Sequence, residues 1–263
     1  EITTRLVGSE MCIRDSPNGL IAAALANMGE RFGFYIMMAI LTLFISAKFG
    51  LSETTTGYIY SAFYASIYIL ALAGGIIADK TKNFKGTILA GLVMMAVGYL
   101  IIAIPTPTPV PSMGLYLGLT CFGLLVIAFG NGLFKGNLQA LVGQMYDDPK
   151  YSSLRDSGFQ IFYMFINIGG FFAPWIAIGV RNWWLKVNNF DYDATLPELC
   201  HQYLEKGNDM APQAMENLTT LAKSVVLDGT PVTDMGMFVN NYLDVFNRGF
   251  QYAFMAAIGA MLV

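Results

Sequence analysis

The stretch Gly19-LIAAALANMGERFGFYIMMAILTLFISAK-Phe49 decides the class of this chain. It is apolar for longer than the roughly 20 residues a helix needs to cross a bilayer core about 30 Å thick. Inside it lie Glu30 and Arg31, with Lys48 at its end. An ionisable group in hydrocarbon costs several kcal/mol or more, so a chain keeps one there chiefly where it faces a polar interior. The stretch thus predicts a membrane helix and marks a candidate functional site on it.

Four further runs follow: Thr54 to Ala78, Gly86 to Ile104, Gly114 to Met145, and Ser157 to Val180. The second and fifth runs carry no charge, and the fourth holds Lys135 alone. A sixth run opens near Phe246 and is truncated at Val263. Backbone groups in lipid must be satisfied within the segment, so continuous runs of this length read as helices. Barrel strands are short and alternating, which these are not. The expected class is an all-α membrane protein.

Composition agrees. Of 263 residues, 55% are hydrophobic and 13% charged, where soluble domains carry about 25% charged residues. The net charge of −3 points away from nucleic acid. Cys12, Cys121 and Cys200 are widely separated and imply neither a disulfide framework nor a zinc site. His201 follows Cys200, but two adjacent ligands do not make a metal centre, and no metal is expected. No nucleophile–base pair is visible, so an enzyme is not expected.

Residues 1–16 stand outside the pattern. They lack the apolar core of a signal peptide and look like a translated sequencing adaptor, a non-native or disordered leader. Residues 17–181 hold the five apolar helices, 182–244 an acid-rich insert, and 245–263 the start of the sixth helix. Lys80, Lys82 and Lys85 lie between the second and third runs, while the Pro105 to Ser112 turn is uncharged. The positive-inside rule therefore places the Lys80 loop and the N-terminus in the cytoplasm, and the insert outside. Weak helical patterning marks Pro197 to Tyr203 and Ala211 to Val226 within the insert. Trp183 and Trp184 suit an interfacial anchor.

On the first helix, Asn27, Glu30, Arg31, Phe34, Tyr35 and Met38 fall on one stripe at helical spacing. Glu30 and Arg31 are neighbours, so they are expected to diverge and meet partners on other helices. One reading is a polar clamp between helices. The other is a titratable site, because a carboxylate there keeps its charge only while a cation stays beside it. Lys135 sits in Gly130-Asn131-Gly132-Leu133-Phe134-Lys135-Gly136-Asn137. Its glycines let neighbouring helices approach closely, and a buried ammonium there suits a carboxylate of the protein or of a substrate. Asp79, after Gly74-Gly75-Ile76-Ile77-Ala78, is placed to bond helix ends or Arg155 across the cytoplasmic side. Asn167 reads as buried in an apolar span, for a helix–helix hydrogen bond or a substrate contact.

The run Phe159-QIFYMFINIGG-Phe171 and the Arg155-Asp156-Ser157-Gly158 before it are similar to the signature of the proton-dependent oligopeptide transporter family, a branch of the major facilitator superfamily. Gly75 to Lys85 resembles the superfamily's loop between helices two and three. Glu30-Arg31-Phe32 resembles the end of the family's E-x-x-E-R-F element, and Gly132-Leu133-Phe134-Lys135 its helix-four lysine. The likeness covers about Leu20 to Val180 and Arg248 to Val263, and leaves out the acidic insert.

This resemblance implies an N-terminal six-helix bundle that works with a C-terminal six-helix bundle of the same intact chain. It implies proton-coupled import of di- and tripeptides by alternating access at a cell membrane, driven by the proton gradient without a cofactor. Glu30, Arg31 and Lys135 would couple protons to substrate. Tyr35, Tyr68, Lys135 and Asn167 would line the cavity, and Asp79 and Arg155 would serve the cytoplasmic gate. Asn27 stands where the family has a glutamate, and Met38 where many members have an arginine. Those departures leave open a symporter for another small organic solute with altered coupling. The long insert leaves open a non-transporting, receptor-like relative.

Overall fold

The computed structural model describes residue 17 and residues 19–261, so the leader reading of residues 1–16 lies outside the described residues. Five helices are long and apolar enough to cross a membrane: α1 (Gly19–Phe49), α2 (Glu53–Thr81), α3 (Phe84–Ile102), α4 (Met113–Met145) and α5 (Arg155–Val187). The insert forms α6 (Leu196–Lys206) and α7 (Pro212–Val225), and α8 (Met235–Met261) follows. The all-α class is as expected.

Local chemistry sets the boundaries. Ser52 caps α2 by accepting from the Thr55 N–H at 3.3 Å, and Asn83 caps α3 by accepting from the Gly86 N–H at 3.0 Å, the usual role of such residues at a helix start. Lys82 adopts a left-handed conformation with φ 51° and donates its N–H to the Ala78 carbonyl, which ends α2. The α5 helix runs past Val180 through both tryptophans. Its Pro174 is tolerated because neighbouring helices and local backbone adjustment can satisfy the freed groups. Trp183 is exposed, while Trp184 lies 4.6 Å from Tyr252 of α8 between ring centroids.

The arrangement is a bundle in which α1 lies against α5 and α8, and α4 lies against α2 and α3. Close approach at α4 depends on small residues. A Cβ on Gly91 of α3 would meet the Gly130 carbonyl at 2.6 Å, and one on Gly132 would meet the Leu70 carbonyl of α2 at 2.5 Å. The Gly130–Gly132 motif thus permits contact on both sides, as its composition implied. Phe44 of α1 closes the α8 side, with centroids 6.0 and 5.0 Å from Phe250 and Phe254.

The α8 helix begins at Met235, about three turns before the apolar run at Phe246. Asp234 accepts from the Met237 N–H at 3.0 Å, and the polar first half buries Phe238, Val239, Tyr242 and Leu243. An amphipathic half-helix needs no continuous apolar run, because its apolar stripe alone makes the contact. Phe190 receives that stripe, 6.0 Å from Phe238 and 5.4 Å from Tyr242. The insert is therefore built into the end of the bundle. Its chain closes with Asp191 N–H donating to Val225 O at 2.7 Å and Leu227 N–H to Asn189 O at 3.0 Å.

Candidate functional site

Glu30 is fully buried and Arg31 nearly so. They do not diverge as their adjacency suggested. Arg31 donates from Nε to Glu30 Oε2, and from Nη2 to Oε1 at 2.6 Å. The physical reason is burial: a charge withdrawn from water must be paired, and the planar guanidinium fork matches a carboxylate with two parallel bonds. The long arginine side chain can reach sideways around the helix to its neighbour to make them. The expectation of partners on other helices holds for the carboxylate alone, since Asn131 Nδ2 of α4 donates to Glu30 Oε1 at 2.8 Å. Arg31 also stands over the Phe34 ring, 4.8 Å from its centroid.

This pair borders a cavity of about 300 Å³ lined by Arg31, Phe34, Tyr35 and Met38 of α1, Tyr60, Tyr64, Ile67 and Tyr68 of α2, and Lys135 of α4. Arg31 and Lys135 make it basic, and the aromatic rings make its walls apolar. Tyr60 stacks on Tyr64 at 6.3 Å, and Tyr64 meets Tyr68 edge-on at 5.3 Å with hydroxyls 3.0 Å apart. Tyr35 is partly exposed and lies beside Gly170 of α5.

Of the expected residues, the structure brings together Glu30, Arg31, Tyr35, Tyr68 and Lys135. It departs on three others and on one detail. Lys135 is exposed rather than buried, and among the described residues it makes no ion pair. Helical periodicity cannot separate a face that looks onto a cavity from one that looks into the bundle. Asn167 is likewise exposed and is not among the cavity's lining residues, because α5 turns that face away from its neighbours. Arg155 pairs with Asp147 at 3.3 Å instead of with Asp79, which is exposed. The partner eight residues back is held near by the short α4–α5 connection.

Three residues were missed. Tyr60 and Tyr64 continue the Tyr68 face at spacing of four, a signal present in Tyr60-SAF-Tyr64-ASI-Tyr68. Tyr99 of α3 is fully buried within electrostatic reach of Glu30 and Arg31, and among the described residues its hydroxyl has no hydrogen-bond partner. Nothing in the sequence around Tyr99 announced it.

Similarity to known proteins bears on this geometry. Residues 85–195 match the model of the POT family, PTR2, a span that includes Lys135 and the α5 run but not Glu30 or Arg31. The chain is 37% identical over 154 residues to dipeptide and tripeptide permease A of Cronobacter turicensis, covering 56% of this chain and 28% of the relative. Against the Escherichia coli K12 protein of the same name the identity is 34% over the same coverage. The matched stretch thus spans less than a third of these relatives' length. Among solved structures, the peptide transporter POT in complex with sulfate is similar with TM-score 0.55 and 31% identity, covering 63% of this chain and 32% of that one. Tetrameric PepTSo2 has TM-score 0.58 and 23% identity, covering 93% and 38%, and this second likeness speaks for the fold.

Proposed function

From the homology of this chain to the POT family, we propose that the whole protein is a proton-coupled symporter of di- and tripeptides. The observation that carries the reading is the buried Glu30–Arg31 pair opening onto a basic, tyrosine-walled cavity that also holds Lys135. Such a cavity suits a zwitterion with a carboxylate at one end and apolar side chains between. This chain supplies one bundle, and a second bundle of the same intact protein closes the cavity and rocks against the first.

The coupling follows from charge balance. Ionised Glu30 holds Arg31 by two bonds. A proton taken up by Glu30 cancels the negative charge, and Arg31 keeps its own positive charge. Arg31 is then free to turn toward the cavity, where the peptide carboxylate meets Arg31 and Lys135. Release of the peptide returns Arg31 to Glu30 as the proton leaves, so one proton and one substrate move in the same direction. Asn27 is buried on the same helix but an amide does not titrate, so Glu30 is the proton carrier of this stripe. The Lys80 loop faces the cytoplasm with Asp79 and Arg155 as gate residues, and the insert faces outward.

Met38 lines the cavity where a cationic side chain would add a second grip on the substrate. That observation favours, as a second reading, a symporter for another small organic solute. Full-length protein in liposomes tests both. Dipeptide should accumulate when a proton gradient is imposed, and Lys135→Ala or Glu30→Gln should abolish accumulation. Uptake indifferent to both substitutions would overturn the assigned roles, and gradient-driven uptake of a non-peptide solute alone would favour the second reading.

A further inference from the structure

A second cavity, also of about 300 Å³, lies at the opposite end of α1 from the leader, where the insert meets the bundle. Its walls come from the end of α1, the start of α2, the start of α6 and α8. The α1–α2 corner, α6 and α8, three parts of the chain distant in sequence, converge there, and α6 belongs to the segment that the family resemblance leaves out.

The chemistry of the lining is one-sided. Glu53 of α2 and Glu198 of α6 both face it, and among the described residues no lysine, arginine or histidine does. Thr56 also lines it. That side chain is only 2% exposed, and among the described residues its hydroxyl has no hydrogen-bond partner. A buried, unsatisfied hydroxyl costs free energy unless a partner arrives. Ser46 donates its proton to the Leu51 carbonyl at 3.1 Å, which leaves the Ser46 oxygen free to accept. Nearby His201, whose Nε2 lies 2.7 Å from the Ala47 carbonyl, adds little positive charge to the wall near neutral pH, since burial holds it below its ordinary 6.5. Leu43 and Phe246 supply apolar surface beside these acceptors.

We infer that this cavity is a binding site for a small organic ammonium ion, shared between the insert and the bundle. The ammonium supplies donors to a lining made of acceptors, and two carboxylates balance its charge. An apolar body of modest size fills the remainder against Leu43 and Phe246, consistent with a volume at the small end of ligand pockets. An anion is repelled by Glu53 and Glu198. The site is separate from the tyrosine-walled cavity and does not rest on the transport reading.

The test uses the full-length protein in detergent at low salt, with 2-phenylethylammonium as probe and phenylacetate as the anion of matching shape. Saturation-transfer NMR or calorimetry should show saturable binding of the ammonium and none of the anion. Glu53→Gln and Glu198→Gln should each weaken binding by about fivefold, and the double variant by more. Thr56→Val, which keeps the side-chain shape, should weaken it as well. Both glutamates are exposed, so the glutamine variants should melt at the same temperature as the parent. Absence of saturable ammonium binding, equal binding of phenylacetate, or affinity unchanged by both glutamine variants would each overturn the inference.

Discussion

Asn131 of α4 donates its Nδ2 hydrogen to Glu30 Oε1 of α1 at 2.8 Å, joining two helices through residues 101 apart in sequence. The amide orientation is set by the carboxylate, because turning Oδ1 of the amide toward Glu30 would oppose two acceptors. Asn131 Oδ1 is left buried without a partner among the described residues. The protein therefore accepts one unsatisfied acceptor to keep a donor on Glu30.

Replacing that donor should be costly. Asn131→Ala should destabilise the protein by about 1–3 kcal/mol, since a buried charged acceptor loses a bond. Asn131→Asp should be worse, as two carboxylates would then share one guanidinium. Thermal unfolding in detergent checks both, and equal melting of parent and Asn131→Asp would contradict the described contact.

Tyr99 gives a prediction of opposite sign. Its hydroxyl is buried without a partner among the described residues, so Tyr99→Phe should leave stability unchanged or raise it by about 1 kcal/mol. If the hydroxyl instead serves Glu30 in another conformation of the cycle, proton-driven uptake by this variant should fall while its melting temperature does not. Measuring both on one preparation separates the two outcomes.

His201 sets a pH dependence at the insert end of the bundle. Burial holds it below its ordinary 6.5, against the opposing bond to Ala47. The folded form thus takes up a proton less readily than the unfolded chain. Its contribution is complete above about pH 6.5 and is lost as pH falls through the lower folded value. Hydrogen exchange in Leu196–Lys206 should therefore quicken at pH 5 relative to pH 7.5. His201→Gln should remove that difference.

The α3–α4 contact should be intolerant of bulk. A Cβ on Gly130 would meet the Gly91 carbonyl at 2.7 Å, and Gly130→Val would have to push the helices apart. A loss of about 1–3 kcal/mol is expected from such overpacking. Gly114, with open space around its Cβ position, is the control site. Gly114→Ala should not lower the melting temperature.

The membrane helices were legible because lipid imposes a length and an apolarity that few other constraints imitate. The charged stripe of α1 was legible for the same reason. What escaped depends on side-chain reach and on which face meets which neighbour. Adjacency argued that Glu30 and Arg31 part, yet a long arginine side chain reaches sideways when burial demands a counter-ion. An apolar span hid the exposure of Asn167, since hydrophobicity alone does not say which face of a helix meets its neighbours. The start of α8 was misjudged because its first turns bury a stripe against Phe190 rather than facing lipid. Tyr60 and Tyr64 were readable at spacing of four beside Tyr68.

The antiparallel bridge between Phe190 and Val226 has a consequence for how this protein can change. Two backbone bonds clasp the excursion at its base, where the chain leaves α5 and where it turns back toward α8. The spacing of the helices on either side is thereby set at the clasp and not by the length of what hangs from it. The excursion is thus a closed unit whose two ends stay together, and the contact of His201 Nε2 with the Ala47 carbonyl at 2.7 Å ties its first helix to α1.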